Sequence, residues 1–354
     1  MKYHVGRPNI GSRSDLHRYL DEILDSRWLT NGGQFVERFE EGIKHVTGVK
    51  HAVAVCNATT GLQVLAKCLD LSEEVIMPSH TFISTPHAFS WIGLKPVFCE
   101  VDPETHNIDP NRLKSLISDN TSAIVGVHLW GRPAPIAQLE QIAESRHLQL
   151  IFDAAHAFGC TRNGKHIGNF GDAEVFSFHA TKFVNSFEGG VVVTNDDGLA
   201  GKLRLVRNYG FIDDGNLIGN GTNAKLSEIH AAMGVVSLEM MSRIMEWNVS
   251  CHFLIRESLK EVGVKIVEYD EEEQNNFQYF IVEVDNRDER MRQLQEMNVL
   301  AKRYFWPGCH RMSPYLLEDI VLPITEELQE RVLVIPLGIA NSDKLLKAVT
   351  EVLA

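Results

Sequence analysis

Val175-Phe176-Ser177-Phe178-His179-Ala180-Thr181-Lys182-Phe183-Val184-Asn185-Ser186-Phe187-Glu188-Gly189-Gly190 reads as an apolar strand that enters a polar turn and stops on a glycine pair before a second apolar run, Val191-Val192-Val193. One lysine, Lys182, sits in the turn with aromatic residues on either side. Burial disfavours the ammonium form, so a lysine in such company is a candidate for a lowered pKa and a nucleophilic amine, as a Schiff-base lysine requires. The alternative is an ordinary surface lysine at the end of a strand, and the choice between them rests on the rest of the chain.

Upstream, Ile151-Phe152-Asp153-Ala154-Ala155-His156 places an acid at the end of an apolar run. Ligands of parallel sheets lie outside the carboxyl ends of the strands, so Asp153 is placed to meet a cationic heterocycle nitrogen; the alternative is a helix N-cap. Further upstream, Asn57-Ala58-Thr59-Thr60-Gly61 follows one apolar run and opens a helical pattern. Small residues there leave backbone N–H groups free to face an anion, or else make a routine capped turn. Ser177 and, downstream, Asn223 offer further hydrogen bonds to a phosphate, or turn chemistry. Together these supply a phosphate site, an acid for a ring nitrogen and a nucleophilic amine, which is the inventory pyridoxal phosphate requires.

The wider pattern frames these residues. Apolar runs at 51–56, 74–77, 96–99, 123–127, 148–152, 174–178 and 191–194 alternate with helical periods, which predicts an α/β domain with a mainly parallel sheet. Before them lie two amphipathic helices, one over 13–28 with Ser14 as N-cap and one carrying Phe35, Val36, Phe39, Ile43 and Val46. Gly215 to Gly221 reads as a mobile loop, and 227–247 as one long helix linking two domains. Beyond it, strands at 264–269 and 278–284 and helices at 287–297 and 344–353 predict a smaller α+β unit. The expected division is 1–245 for the large domain and 246–354 for the small one, since 354 residues exceed the usual single core.

Composition excludes several classes. The formal charge of −13, with no basic run to offset it, opposes nucleic-acid binding. No apolar stretch reaches the roughly 18 to 20 residues of a membrane helix. The N-terminus lacks the apolar core of a signal peptide, so a cytoplasmic location is expected. Six dispersed cysteines suggest neither zinc nor disulfides, and the fifteen histidines include no pair at metalloprotease spacing. No metal is expected.

Taken together, Asn31-Gly32-Gly33, Asn57-Ala58-Thr59, Thr81-Phe82, Asp153-Ala154-Ala155-His156, Ser177 to Lys182, Glu188-Gly189-Gly190, Asn223 to Glu228, His310 and Pro314-Tyr315 resemble the DegT/DnrJ/EryC1/StrS family of sugar-nucleotide aminotransferases. The resemblance covers nearly the whole chain and implies the aspartate-aminotransferase fold, type I, with pyridoxal 5'-phosphate as cofactor. It implies that Lys182 forms the Schiff base and moves the proton, while Asp153 keeps the pyridine nitrogen protonated. His156 would lie near the ring hydroxyl and Phe82 would stack on the ring. Ala58, Thr59 and Ser177 would hold the phosphate, joined by Asn223 from the other subunit of a homodimer with shared sites. Substrate contacts would fall to Lys225, His310 and Tyr315, with Lys225 or Arg303 as basic groups for a diphosphate. Many relatives carry Asn-Tyr-Arg where this chain has Asn223-Ala224-Lys225. With His179-Ala180-Thr181-Lys182, that version resembles the subgroup that aminates C4 of nucleotide-linked 4-keto-6-deoxyhexoses. The expected reaction is amination of dTDP-4-keto-6-deoxy-D-glucose with glutamate as donor. A C3 aminotransferase and a non-enzymatic regulator of the same fold are the alternatives. Dehydratases of the family carry histidine in place of the lysine, so Lys182 argues against that branch.

Overall fold

The computed structural model describes residues 2–316, 320–337 and 343–354. The chain opens on a short strand, β1 (Tyr3–His4), and two helices, α1 (Arg13–Ser26) and α2 (Gln34–Thr47). Alternation then follows: β2 (His51–Val55), α3 (Ala58–Cys68), β3 (Glu74–Pro78), α4 (Ser84–Ser90), β4 (Lys95–Cys99), α5 (Pro110–Lys114), β5 (Thr121–Val127), α6 (Ile136–Arg146) and β6 (Gln149–Asp153). A hairpin, β7 (Thr161–Arg162) with β8 (Lys165–His166), precedes β9 (Ala173–Ser177), β10 (Gly190–Thr194) and α7 (Asp197–Val206). Two helices, α8 (Glu228–Glu239) and α9 (Met241–Leu259), lead into the C-terminal part. That part holds β11 (Lys265–Ile266), β12 (Phe280–Glu283), α10 (Arg287–Glu296), β13 (Val299–Leu300), α11 (Pro323–Arg331), β14 (Val332–Ile335) and α12 (Asp343–Leu353).

The central sheet has seven strands in the order β2-β10-β9-β6-β5-β3-β4. All its neighbours pair in parallel except β10, which runs antiparallel to both β2 and β9. Helices cover both faces, so the strands are apolar on both sides. Alternate residues divide between two cores: Ala52, Ala54, Ile124, Phe152 and Phe176 pack with α2 and α8, while Val53, Val55, Val125, Ile151 and Val175 pack with α3. Because β2, β6 and β9 point the same way, the start of α3, Asp153 and the Lys182 turn open at one edge of the sheet.

Beyond the sheet, β11-β12-β14 form a small antiparallel sheet whose core includes Ile255, Leu259, Phe280, Val349 and Val352. β1 pairs in parallel with β13, a long-range ladder that two residues of sequence do not announce. No helix among the described residues is long and apolar enough to cross a membrane. All six cysteines are free thiols, and only Cys56 is not fully buried.

Three sequence expectations need correction. The cap of α1 is Ser12, whose Oγ accepts from Asp15 N–H at 3.2 Å; the Ser14 hydroxyl lies 3.0 Å from the Ser12 hydroxyl instead. The long helix expected over 227–247 is two, broken at Met240, where neither proline nor glycine marks the stop. The strand expected at 264–269 shrinks to Lys265–Ile266.

Candidate active site

The Lys182 turn joins β9 to β10 and is pinned from several directions. Within it, Lys182 N–H donates to His179 O at 2.8 Å, and Ser186 N–H donates to Phe178 O at 2.8 Å. From outside, Asn9 Nδ2 donates to Phe183 O at 3.0 Å, Asn185 N–H donates to Ser237 Oγ at 3.0 Å, and Phe183 N–H donates to Gln278 Oε1 at 3.3 Å. A turn held by Asn9, Ser237 and Gln278 fixes its lysine by tertiary contacts rather than by local propensity.

Lys182 lines a cavity of about 600 Å³. Burial lowers its pKa from 10.5 to about 8, and the negative charge of Asp153 offsets part of that drop. Asp153 is 6% exposed and also lines the cavity. Its Oδ2 accepts from Thr85 Oγ1–H at 2.7 Å, and its Oδ1 accepts from Ala155 N–H at 3.1 Å. No helix follows β6, so Asp153 is not a helix cap: its carboxylate is oriented by a hydroxyl and a turn amide.

Ala58 and Thr59 form the first turn of α3 on the cavity wall. Asn57 is the cap, accepting from Thr60 N–H at 2.8 Å, which leaves the N–H groups of Ala58 and Thr59 without an acceptor among the described residues. Gly190 makes the approach possible: a Cβ there would stand 2.5 Å from Ala58 N. Ser177, at the end of β9, faces the same space. His156 lines it too, and burial with the nearby Lys182 holds its imidazole well below the ordinary pKa. Phe82 is half-exposed on the rim, its ring 5.8 Å from that of Phe305.

Ala58, Thr59, Phe82, Asp153, His156, Ser177 and Lys182 therefore converge on one cavity. Five other expected residues do not line it. Asn223 is exposed and bridges to Asn208, and Lys225 lies over the Tyr209 ring at 4.3 Å. His310 is fully buried, with Nδ1 2.6 Å from Ser79 Oγ and Nε2 3.0 Å from Glu326 Oε1. The Tyr315 hydroxyl lies 2.5 Å from Ser90 Oγ. Arg303 pairs with Asp288 and lies over Trp306. Sequence reasoning passed over Thr85, Tyr279, Tyr304 and Phe305. The run Tyr304-Phe305-Trp306 amid charged residues was the signal available for the last two.

The site fits a phosphorylated aromatic aldehyde: an anion-ready helix terminus, a desolvated amine, a held carboxylate and aromatic walls share one space. The model of the DegT/DnrJ/EryC1/StrS aminotransferase family matches residues 12–354. A dTDP-4-amino-4,6-dideoxy-D-glucose transaminase of Shigella dysenteriae is 33% identical over 355 residues, covering 98% of this chain and 97% of that protein. A dTDP-3-amino-3,6-dideoxy-alpha-D-galactopyranose transaminase of Aneurinibacillus thermoaerophilus is 29% identical, covering 97% and 95%. Among solved structures, DesI in the presence of its TDP-sugar product superposes with a TM-score of 0.95 at 48% identity, covering 99% of this chain and 92% of that one.

Proposed function

The chain belongs to the DegT/DnrJ/EryC1/StrS aminotransferase family, and from that premise we propose that it aminates C4 of dTDP-4-keto-6-deoxy-D-glucose, using pyridoxal 5'-phosphate and glutamate. The observation that carries the reading is Lys182, a desolvated amine beside a held carboxylate. With a pKa about 8, roughly half of it is neutral at pH 8, against about 0.3% for an ordinary lysine. Such an amine serves both as nucleophile and as the base that moves a proton at Nζ.

The remaining residues divide the binding work. The free N–H groups of Ala58 and Thr59, with the Ser177 hydroxyl, would hold the phosphate at the positive end of α3. Asp153, oriented by Thr85 and Ala155, would keep a proton on the ring nitrogen, and Phe82 would cover one face. When bound, the cofactor supplies the electron sink for the carbanion electrons. The residue set comes from two chains in this reading: Asn223 and Lys225 do not line their own cavity and would serve the partner's in a homodimer.

C4 is favoured by the relative named for a 4-amino sugar, and a TDP-linked substrate by the likeness to DesI with its TDP-sugar product. A second reading, amination at C3, draws on the Aneurinibacillus relative. Incubation with pyridoxal phosphate, glutamate and either the 4-keto or the 3-keto nucleotide sugar, followed by NMR location of the new C–N bond, decides between them. Amination at C3 alone would overturn the C4 assignment.

A further inference from the structure

The chemical role of His156 in the cavity depends on which ring nitrogen carries the proton, and the residue that decides this lies behind the wall. Trp130 is fully buried and follows β5 in a tight turn. Its backbone is left-handed, φ 63 and ψ 6, a conformation that costs a bulky side chain and is kept only where the surroundings impose it. That turn aims Trp130 N–H at His156 Nδ1, 3.4 Å away. A backbone N–H only donates, so Nδ1 must accept and the proton lies on Nε2. The bond to Nδ1 is the one ring-nitrogen hydrogen bond of His156 among the described residues, which leaves Nε2–H for the cavity that His156 lines.

The bond is long, and stacking supplements it. The Trp130 ring lies 6.0 Å from that of His156 at 19°, and 5.5 Å from that of Phe305 at 3°. These separations fall within the range of offset aromatic pairs. Tyr269 Oη–H donates to Trp130 O at 3.3 Å. On the other side, Asn276 Nδ2 and Gln278 Nε2 donate to His156 O at 2.8 and 3.2 Å, so the histidine is fixed through both ring and backbone. Lys182 and Tyr279 are titratable side chains that face this imidazole.

We propose that Trp130 is a positioning residue for the site: its left-handed turn and its ring hold His156 as a neutral donor with Nε2–H directed into the cavity, toward an anionic oxygen of the bound group. This rests on the cofactor reading above for the identity of that oxygen, but not for the tautomer. A donor on an oxyanion withdraws electron density and lowers the proton affinity of a conjugated chromophore, so its loss raises the chromophore's pKa.

Two measurements test it. In the full chain labelled with 15N-histidine and stripped of cofactor, the resonance that disappears in His156→Gln should report a protonated Nε2 and an unprotonated Nδ1; a predominantly Nδ1-protonated ring overturns the proposal. In the protein loaded with pyridoxal phosphate, a pH titration of visible absorbance should show Trp130→Leu raising the chromophore pKa by about one unit, a tenfold change. Trp130→Phe, which keeps an aromatic ring, should restore it. In a His156→Leu background Trp130→Leu should move the pKa no further, and an equal shift in both backgrounds would mean that Trp130 does not act through His156. If the chain takes up no pyridoxal phosphate, the cofactor reading fails while the tautomer measurement still decides this proposal.

Discussion

At the scale of single residues, Lys182 trades stability for reactivity. Its ammonium titrates at about 8 in the fold and at an ordinary 10.5 when unfolded. Above 10.5 both states are neutral and the cost vanishes; between 8 and 10.5 the unfolded chain holds the extra proton and stability rises with pH; below 8 the full penalty, about 3 kcal/mol, applies. Lys182→Met in the cofactor-free protein should therefore raise the unfolding free energy by about 2 kcal/mol at pH 7, less than the full penalty because Asp153 loses a neighbouring charge. The gain should fade as the pH approaches 10.5 in urea titrations, and a gain that does not change with pH would place its origin in packing. The same substitution should abolish turnover. Thr85 gives a second residue-scale test. Thr85→Val removes the 2.7 Å donor to Asp153 Oδ2, and loss of a charge-assisted hydrogen bond of about 1.5–3 kcal/mol should lower kcat roughly tenfold or more with little change in KM. Unchanged kcat would mean that the Ala155 amide alone orients the carboxylate.

At the scale of elements, the N-terminus of α2 shows why some sequence signals were legible and misassigned. Gly33 precedes α2 and brings no capping side chain. The acceptors come from Glu228 at the start of α8, which is 1% exposed and takes N–H bonds from Gly33 at 2.9 Å, Phe35 at 2.9 Å and Val36 at 3.3 Å. Gly33 must be glycine for this, since a Cβ would stand 2.8 Å from the Glu228 carboxylate. Asn31-Gly32-Gly33 and Asn223 to Glu228, two motifs that carried the family resemblance, thus meet in one structural joint. Glu228→Ala should cost about 3 kcal/mol by leaving two buried N–H groups and one half-buried one unpaired, and Glu228→Gln about half of that; both are read from denaturant midpoints. Retained stability in Glu228→Ala would mean that water caps α2. The seven apolar runs all appear as strands of the central sheet because burial on both faces writes itself into composition. The break at Met240 left no such mark, since helix-forming residues run through it with neither proline nor glycine, although α8 is apolar nearly all round and α9 is amphipathic. For the same reason the candidate cofactor residues at strand ends were legible, whereas Tyr279 and Phe305 reach the cavity only through packing between distant segments, and Thr85 meets Asp153 without lining the cavity itself.

At the scale of the whole molecule, the chain carries surface that a lone copy leaves uncovered. Phe211, Ile212, Leu217 and Ile218 are 48%, 57%, 55% and 43% exposed, and Trp28 and Leu29 are 59% and 52% exposed. Apolar side chains displayed in such number make a candidate contact surface, since no helix among the described residues is long and apolar enough to cross a membrane. Asn223 follows directly from that loop and does not line its own cavity. The proposed large domain, 1–245, would supply this contact, while α9 ties it to the C-terminal unit, with Met241 and Ile244 in one core and Ile255 and Leu259 in the other. A two-fold dimer would bury the loop and deliver Asn223 and Lys225 to the partner's cavity. Phe211→Asp combined with Leu217→Asp should then yield monomers by sedimentation and remove activity, although neither residue lines the cavity. Complementation is the stricter measurement. Lys182→Ala and an inactive Asn223 variant, each without turnover alone, should regain one intact site per mixed dimer, up to about a quarter of full activity in an equal random mixture, since half the dimers are mixed and each has one of two sites complete. Mixed dimers that form yet stay inactive would place Asn223 in its own chain's site or outside the chemistry altogether.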